Sequence, residues 1–140
     1  MTDPLILGKA QVVRESLNDL AAIPQTSYAE FESDFRNVQA TLHLMQVAIQ
    51  ALTDLGSMLC ARLGLATPRT SFEVFERLEQ DGRLPKGSAT RFAPIVGFRN
   101  RIVHLYDRID QRIVFRVLTE RRADLAELLG HLLAVDTCGG

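Results

Sequence analysis

Apolar residues return every three or four positions along most of this chain, the rhythm of helices with one buried face. Ile6, Ala10, Val13, Leu17 and Leu20 predict a first helix over residues 4–22, closed by Pro24 and the Thr26-Ser27 pair. Phe31, Phe35, Val38, Leu42, Met45, Ile49, Leu52, Gly56, Leu59 and Leu63 predict one long helix over 31–63, with Gly64 as its stop. Leu44, Ala48, Ala51, Leu55 and Met58 form a second stripe beside the first. A stripe that wide serves two neighbouring helices, or one helix and a second subunit. Gly56, on the main stripe, allows a close backbone approach or a slight bend.

Thr70 and Glu73 have the spacing of a capping box, opening a short helix over 71–81 that turns Phe72, Phe75 and Leu78 inward and ends at Gly82. After the loop Leu84-Pro85-Lys86-Gly87, a fourth helix over 88–106 begins near Ser88 or restarts at Pro94. The last, over 110–135, buries Val114, Leu118, Leu125, Leu128 and Leu132. No useful length alternates as a half-buried strand does. The pattern predicts an all-α bundle of about five helices around one long central helix, in a single domain spanning 1–140.

A content of 46% hydrophobic and 24% charged residues belongs to a globular chain with one core. No run of eighteen uninterrupted apolar residues predicts a membrane span, and Met1-Thr2-Asp3-Pro4 lacks a signal-peptide pattern, so a cytoplasmic location is the default. Cys60 and Cys138 stand far apart and suggest neither a disulfide framework nor a zinc site. The net charge of −1 hides an asymmetry. Residues 83–122 hold ten basic side chains against Asp107, Asp110 and Glu120, a balance of +7 that leaves −8 on the rest. That is either a basic face for phosphates or a set of arginines that solvates exposed helices.

The segment Phe98-Arg99-Asn100-Arg101-Ile102-Val103-His104-Leu105-Tyr106 interrupts this pattern with chemically capable side chains. With Ile95 at zero on an ideal helix, Arg99 falls at about 40° and Tyr106 at about 20°, while Asn100 and His104 fall at about 140° and 180°. Arg99 therefore borders the apolar side, where its charge must be satisfied by a carboxylate of another helix or by a phosphate. Histidine moves protons near neutrality and arginine offers a fork of donors to phosphate oxygens, so the set suits RNA cleavage without a metal. His104 would activate the 2′-hydroxyl or protonate the leaving oxygen, Arg99 would hold the scissile phosphate, and Asn100 would orient either. Arg101 and Arg108 are candidate RNA or phosphate contacts. An ideal helix does not bring Arg99 and His104 to one point, so a joint site needs a distorted helix end or a second copy. His43 and His131 lie on other helices and read as structural or solvent-facing, and no carboxylate–histidine cluster suggests a metal. Tyr106 either packs and bonds to Arg99 or presents a hydroxyl that accepts a phosphate or nucleotidyl group.

The run Arg99 to Tyr106 resembles the Arg-x4-His-x-Tyr signature of HepT-like toxins within the HEPN superfamily. Gln46-Val47-Ala48-Ile49-Gln50-Ala51, Pro68-Arg69-Thr70-Ser71-Phe72 and Asp107-Arg108-Ile109-Asp110 also fit. The resemblance implies a HEPN-like helical homodimer whose motifs meet in an interface cleft. Arg99 and His104 would match the family's metal-independent ribonuclease pair, with Asn100 beside them. It further implies the toxin of a type VII toxin–antitoxin system, neutralised when an MNT-type nucleotidyltransferase antitoxin uses ATP to attach AMP to Tyr106. The alternatives are a non-enzymatic module that binds a nucleotide or partner, and a structural dimerisation protein.

Overall fold

Six helices make up the described part of the computed structural model, residues 3–105 and 110–135, with only the backbone described for 103–105. They are α1 (Pro4–Ala22), α2 (Tyr28–Glu32), α3 (Phe35–Arg62), α4 (Ser71–Gln80), α5 (Ser88–Leu105) and α6 (Gln111–Leu133). No strand occurs among the described residues. The architecture is an all-α bundle in which α3 touches each of the other five helices.

Side chains at the helix starts satisfy amide groups that a helix cannot pair internally. Asp3 accepts from the Leu5 amide at 2.9 Å and Pro4 occupies the first turn, so α1 begins where the sequence predicts. Thr70 accepts from the Glu73 amide at 3.1 Å, but the Glu73 carboxylate reaches the Arg69 amide rather than that of the cap residue. Gly64 and Gly82 adopt positive φ, and the Leu65 and Arg83 amides reach back to the Cys60 and Leu78 carbonyls.

The predicted helix 31–63 is two helices rather than one. Ser27 caps α2, and Asp34 takes an extended conformation and caps α3 through the Arg36 amide at 2.9 Å. The Ser33-Asp34 pair stops one helix and starts another, although the apolar rhythm runs across it. Phe31 is consequently buried against Tyr28 and Phe115, whereas Phe35, expected on the core stripe, is 73% exposed. A similar correction applies to α4, where Val74 enters the core and Phe72 stays largely outside. Periodicity alone cannot choose between adjacent apolar positions at a helix start, because the cap sets the phase.

The second half of α3 is enclosed nearly all round, with Ala51, Leu52, Thr53, Leu55, Gly56, Leu59 and Cys60 buried. By length and composition α3 could cross a bilayer, but more than half of its most apolar stretch is covered by the bundle. A Cβ at Gly56 would lie 2.5 Å from Val74 Cγ1, so glycine is what lets α4 approach α3.

Helix α5 starts at Ser88 and runs through Pro94, which leaves the Thr90 carbonyl without its helical donor. Two features hold it. Phe92, Ile95, Val96, Phe98 and Ile102 are buried, and Arg91 pairs with Asp124 and Glu127 of α6. At its start, the Glu79 carboxylate of α4 accepts from the Ala89 and Gly87 amides at 2.7 and 2.8 Å. These two amide hydrogen bonds, that from Ala89 foremost, hold the Glu79 carboxyl below its ordinary value.

Two outcomes test this frame. Gly56→Ala is expected to destabilise the fold by about 1–3 kcal/mol in chemical denaturation, because β-branched Val74 cannot swing away freely. Glu79→Ala should lower the melting temperature at neutral pH. Since folding lowers the Glu79 pKa, its contribution is full above the unfolded carboxylate value and lost as pH falls through the folded one. Melts of the two proteins should therefore converge in acid.

Candidate functional site

Burial of Ile95, Phe98 and Ile102 fixes the rotation of α5 about its axis. Arg99, next to Phe98 in sequence, then emerges at the edge of the apolar face and is carried into a groove between α5, α3 and α1. The groove has a volume of about 330 Å³. Its α3 wall is made by His43, Gln46, Val47, Gln50, Ala51 and Asp54, and α1 contributes Lys9 and Val12.

Hydrogen bonding in this groove is uneven. Asp54 accepts from Lys9 Nζ at 3.0 Å on one oxygen and from Gln50 Nε2 at 2.8 Å on the other. The acidic side chain that α3 contributes to the groove is thus already committed. Among the described residues Arg99 forms no ion pair, and its Nε is buried without a hydrogen-bond partner. A buried N–H of a cation left unpaired is costly. Of the two readings open for Arg99, an ion pair with a carboxylate of the long helix is not formed among the described residues.

Asn100 and Arg101 are exposed on α5, away from the Arg99 groove. The backbone of α5 is helical through Leu105, which keeps Asn100 and His104 at i,i+4 spacing. The His104 side chain, all of Tyr106 and Arg108, and Cys138 lie outside the described residues. The pairing of Arg99 with Tyr106 and the convergence of Arg99 with His104 fall there too.

His43 is solvent-facing, as its sequence setting suggests, but it also shares the groove with Arg99, which the sequence reading did not anticipate. Gln46, Gln50, Lys9 and Asp54 were missed as well. A signal was present: His43, Gln46, Gln50 and Asp54 recur at spacings of three and four along an otherwise apolar helix, which marks one uncovered seam. His131 of α6 lies instead beside Glu127 at 3.7 Å. Among the described residues no three His, Cys, Asp or Glu side chains gather as metal ligands would.

Replacing Arg99 separates a structural from a binding role. If its guanidinium held the bundle together, Arg99→Met would cost roughly 1–3 kcal/mol through broken buried hydrogen bonds. With Nε already unpaired, the variant is expected to melt at or above the parent temperature, as read by circular dichroism.

Comparison with known proteins agrees with this architecture. The family model described as Ribonuclease HepT-like matches residues 13–132. A curated protein of Aphanizomenon flos-aquae (strain 2012/KM1/D3), named tRNA nuclease HepT, is 30% identical over 118 residues, covering 84% of this chain and 80% of its own. A tri-AMPylated HEPN toxin from Shewanella oneidensis, solved in complex with an MNT antitoxin, superposes with a TM-score of 0.85. It is 20% identical, over 95% of this chain and 99% of that one. A toxin–antitoxin structure with AMP-PNP gives a TM-score of 0.84 at 18% identity, covering 94% of this chain and 99% of that one. At such identities the structural likeness speaks for the fold.

Proposed function

The chain belongs to the HepT-like ribonuclease family, and from that premise we propose that it is a toxin endoribonuclease that cleaves RNA without a metal. The observation that carries this reading is the buried, unpartnered Arg99 Nε at the open groove between α1, α3 and α5. A phosphodiester is the anion that such a fork fits in an RNA-handling protein. Arg99 holds the scissile phosphate and stabilises the charge that grows on its oxygens. His104 takes the proton from the 2′-hydroxyl or delivers one to the departing 5′-oxygen. The 2′-oxygen bonds to phosphorus as the bond to the 5′-oxygen breaks, leaving a cyclic phosphate and a free hydroxyl. Asn100 orients His104. Two copies of the chain bring their motifs together in an interface cleft, so that one histidine can act as base and the other as acid. The relative named as a tRNA nuclease makes tRNA the first substrate to test.

Regulation follows from the same site. An MNT-type nucleotidyltransferase antitoxin transfers AMP from ATP to the Tyr106 hydroxyl, releasing pyrophosphate and adding a phosphodiester charge to the motif. The AMPylated toxin in the Shewanella complex supports this assignment. The pair works in the cytoplasm, where RNA and ATP are at hand.

Cleavage of total tRNA by the purified protein, followed on denaturing gels, tests the catalytic roles. Arg99→Ala and His104→Ala are each expected to slow it by about 10²- to 10⁴-fold while remaining folded. Equal rates in all three proteins would refute the roles, and tight RNA binding without turnover would mark a binding module instead. Incubation with the antitoxin and ATP should add AMP to the intact mass and map to Tyr106. A modification mapped elsewhere would remove Tyr106 as the control point.

A further inference from the structure

On the other side of α5 lies a second and larger groove, of about 500 Å³, between α5 and α6. Its floor is apolar, built from Ile95, Phe98, Ile113 and Val117, and Arg101 and Arg116 stand on its rim. Arg99 and Arg101 are about 200° apart on the helix, which is why one lines the first groove and the other lines the second. Arg121 also borders this groove but is held by Asp124 at 3.1 Å. Among the described residues Glu120 is the one carboxylate lining it, and it makes no ion pair with Arg101 or Arg116. Arg101 and Arg116 therefore present two guanidinium groups with no carboxylate partner among the described residues, above an apolar floor.

We propose that this groove is a binding subsite for a nucleotide of single-stranded RNA flanking the cleaved bond. The base lies against the apolar floor, and Arg101 and Arg116 bind the adjoining phosphates. Three features favour that occupant. The volume falls within the range of small-ligand sites, with an apolar lining and a few placed charges. Two unpaired arginines outnumber the single carboxylate, Glu120, within the part of the chain that carries a +7 balance. Arginine's planar fork suits phosphate oxygens, and every base has an apolar face that a sequence-tolerant site can cover. A strand crossing α5 engages Arg99 on one side and the Arg101–Arg116 pair on the other, so α5 acts as a saddle under the RNA. The inference rests on the chain being an RNA-handling protein, and Arg101 acts in it as a binding residue, not a catalytic one.

The test is anisotropy of a fluorescent, uncleavable 2′-O-methyl RNA oligonucleotide across a series of salt concentrations. Arg101→Gln/Arg116→Gln is expected to weaken binding on the order of tenfold near physiological salt. It should also flatten the plot of log affinity against log salt by about 1.4, two single-strand phosphate contacts at about 0.7 each. Arg14→Gln, which removes a charge from exposed α1, should change neither. Val117→Trp, which fills the floor and keeps both arginines, should weaken binding with the slope unchanged. Circular dichroism melts show whether each variant is folded. If wild type binds RNA and the double variant matches it in affinity and slope, the subsite is overturned. An unchanged slope with an altered mass in light scattering would assign the groove to a contact between copies, which also overturns it. If wild type binds no RNA at all, the ribonuclease reading itself falls, and the subsite with it.

Discussion

Enclosure of α3 by five other helices is the constraint on which the rest of this protein depends. A helix surrounded in that way must be apolar on most of its circumference, and α4 needs a glycine to come near. The same enclosure explains where polar groups can survive on α3. His43, Gln46, Gln50 and Asp54 line the seam that no helix covers, and that seam is one wall of the Arg99 groove. Core and candidate site are thus two consequences of one packing arrangement. The stability of the bundle sets the rotation of α5, and that rotation delivers Arg99 to the seam.

The Arg99 groove shows a division of labour among charges. Lys9 and Gln50 occupy both oxygens of Asp54, the carboxylate that shares the groove with Arg99. An arginine neutralised within its own chain would be a poor phosphate ligand, because each new bond to substrate would have to replace an old one. Leaving Nε buried and unpaired costs stability. Glu79 works at the other end of α5, where its carboxylate meets the free amides of the first turn. It anchors the start of a helix that contains Pro94 and carries the motif at its far end.

Much of the fold was legible in the sequence because helical periodicity is a local signal that burial then enforces. Ala10, Val13 and Leu20, and later Val114, Leu118, Leu125, Leu128 and Leu132, are buried where their spacing placed them. The signal failed at Ser33-Asp34, where a cap breaks the chain without breaking the apolar rhythm, and at Phe72, where the phase of a short helix was misread. Part of the site was legible too. An arginine at the margin of an apolar face stands out by charge and position, and the resemblance to HepT-like toxins singled out the histidine and tyrosine that follow it.

By itself, the sequence determined the all-helical class and the central place of the long helix, and it marked the run Arg99 to Tyr106 as the candidate for chemistry. Each of these is carried by residues close to one another along the chain. Only the tertiary structure decided what Arg99 faces. His43, Gln46 and Gln50 lie about fifty residues before it and Lys9 lies ninety before it, so no local pattern links them. Only the structure, likewise, divided the arginines of α5 between two grooves, since that depends on which sides α1, α3 and α6 cover. Periodicity specifies that a helix has a buried face; the neighbours that bury it specify what the remaining faces can bind.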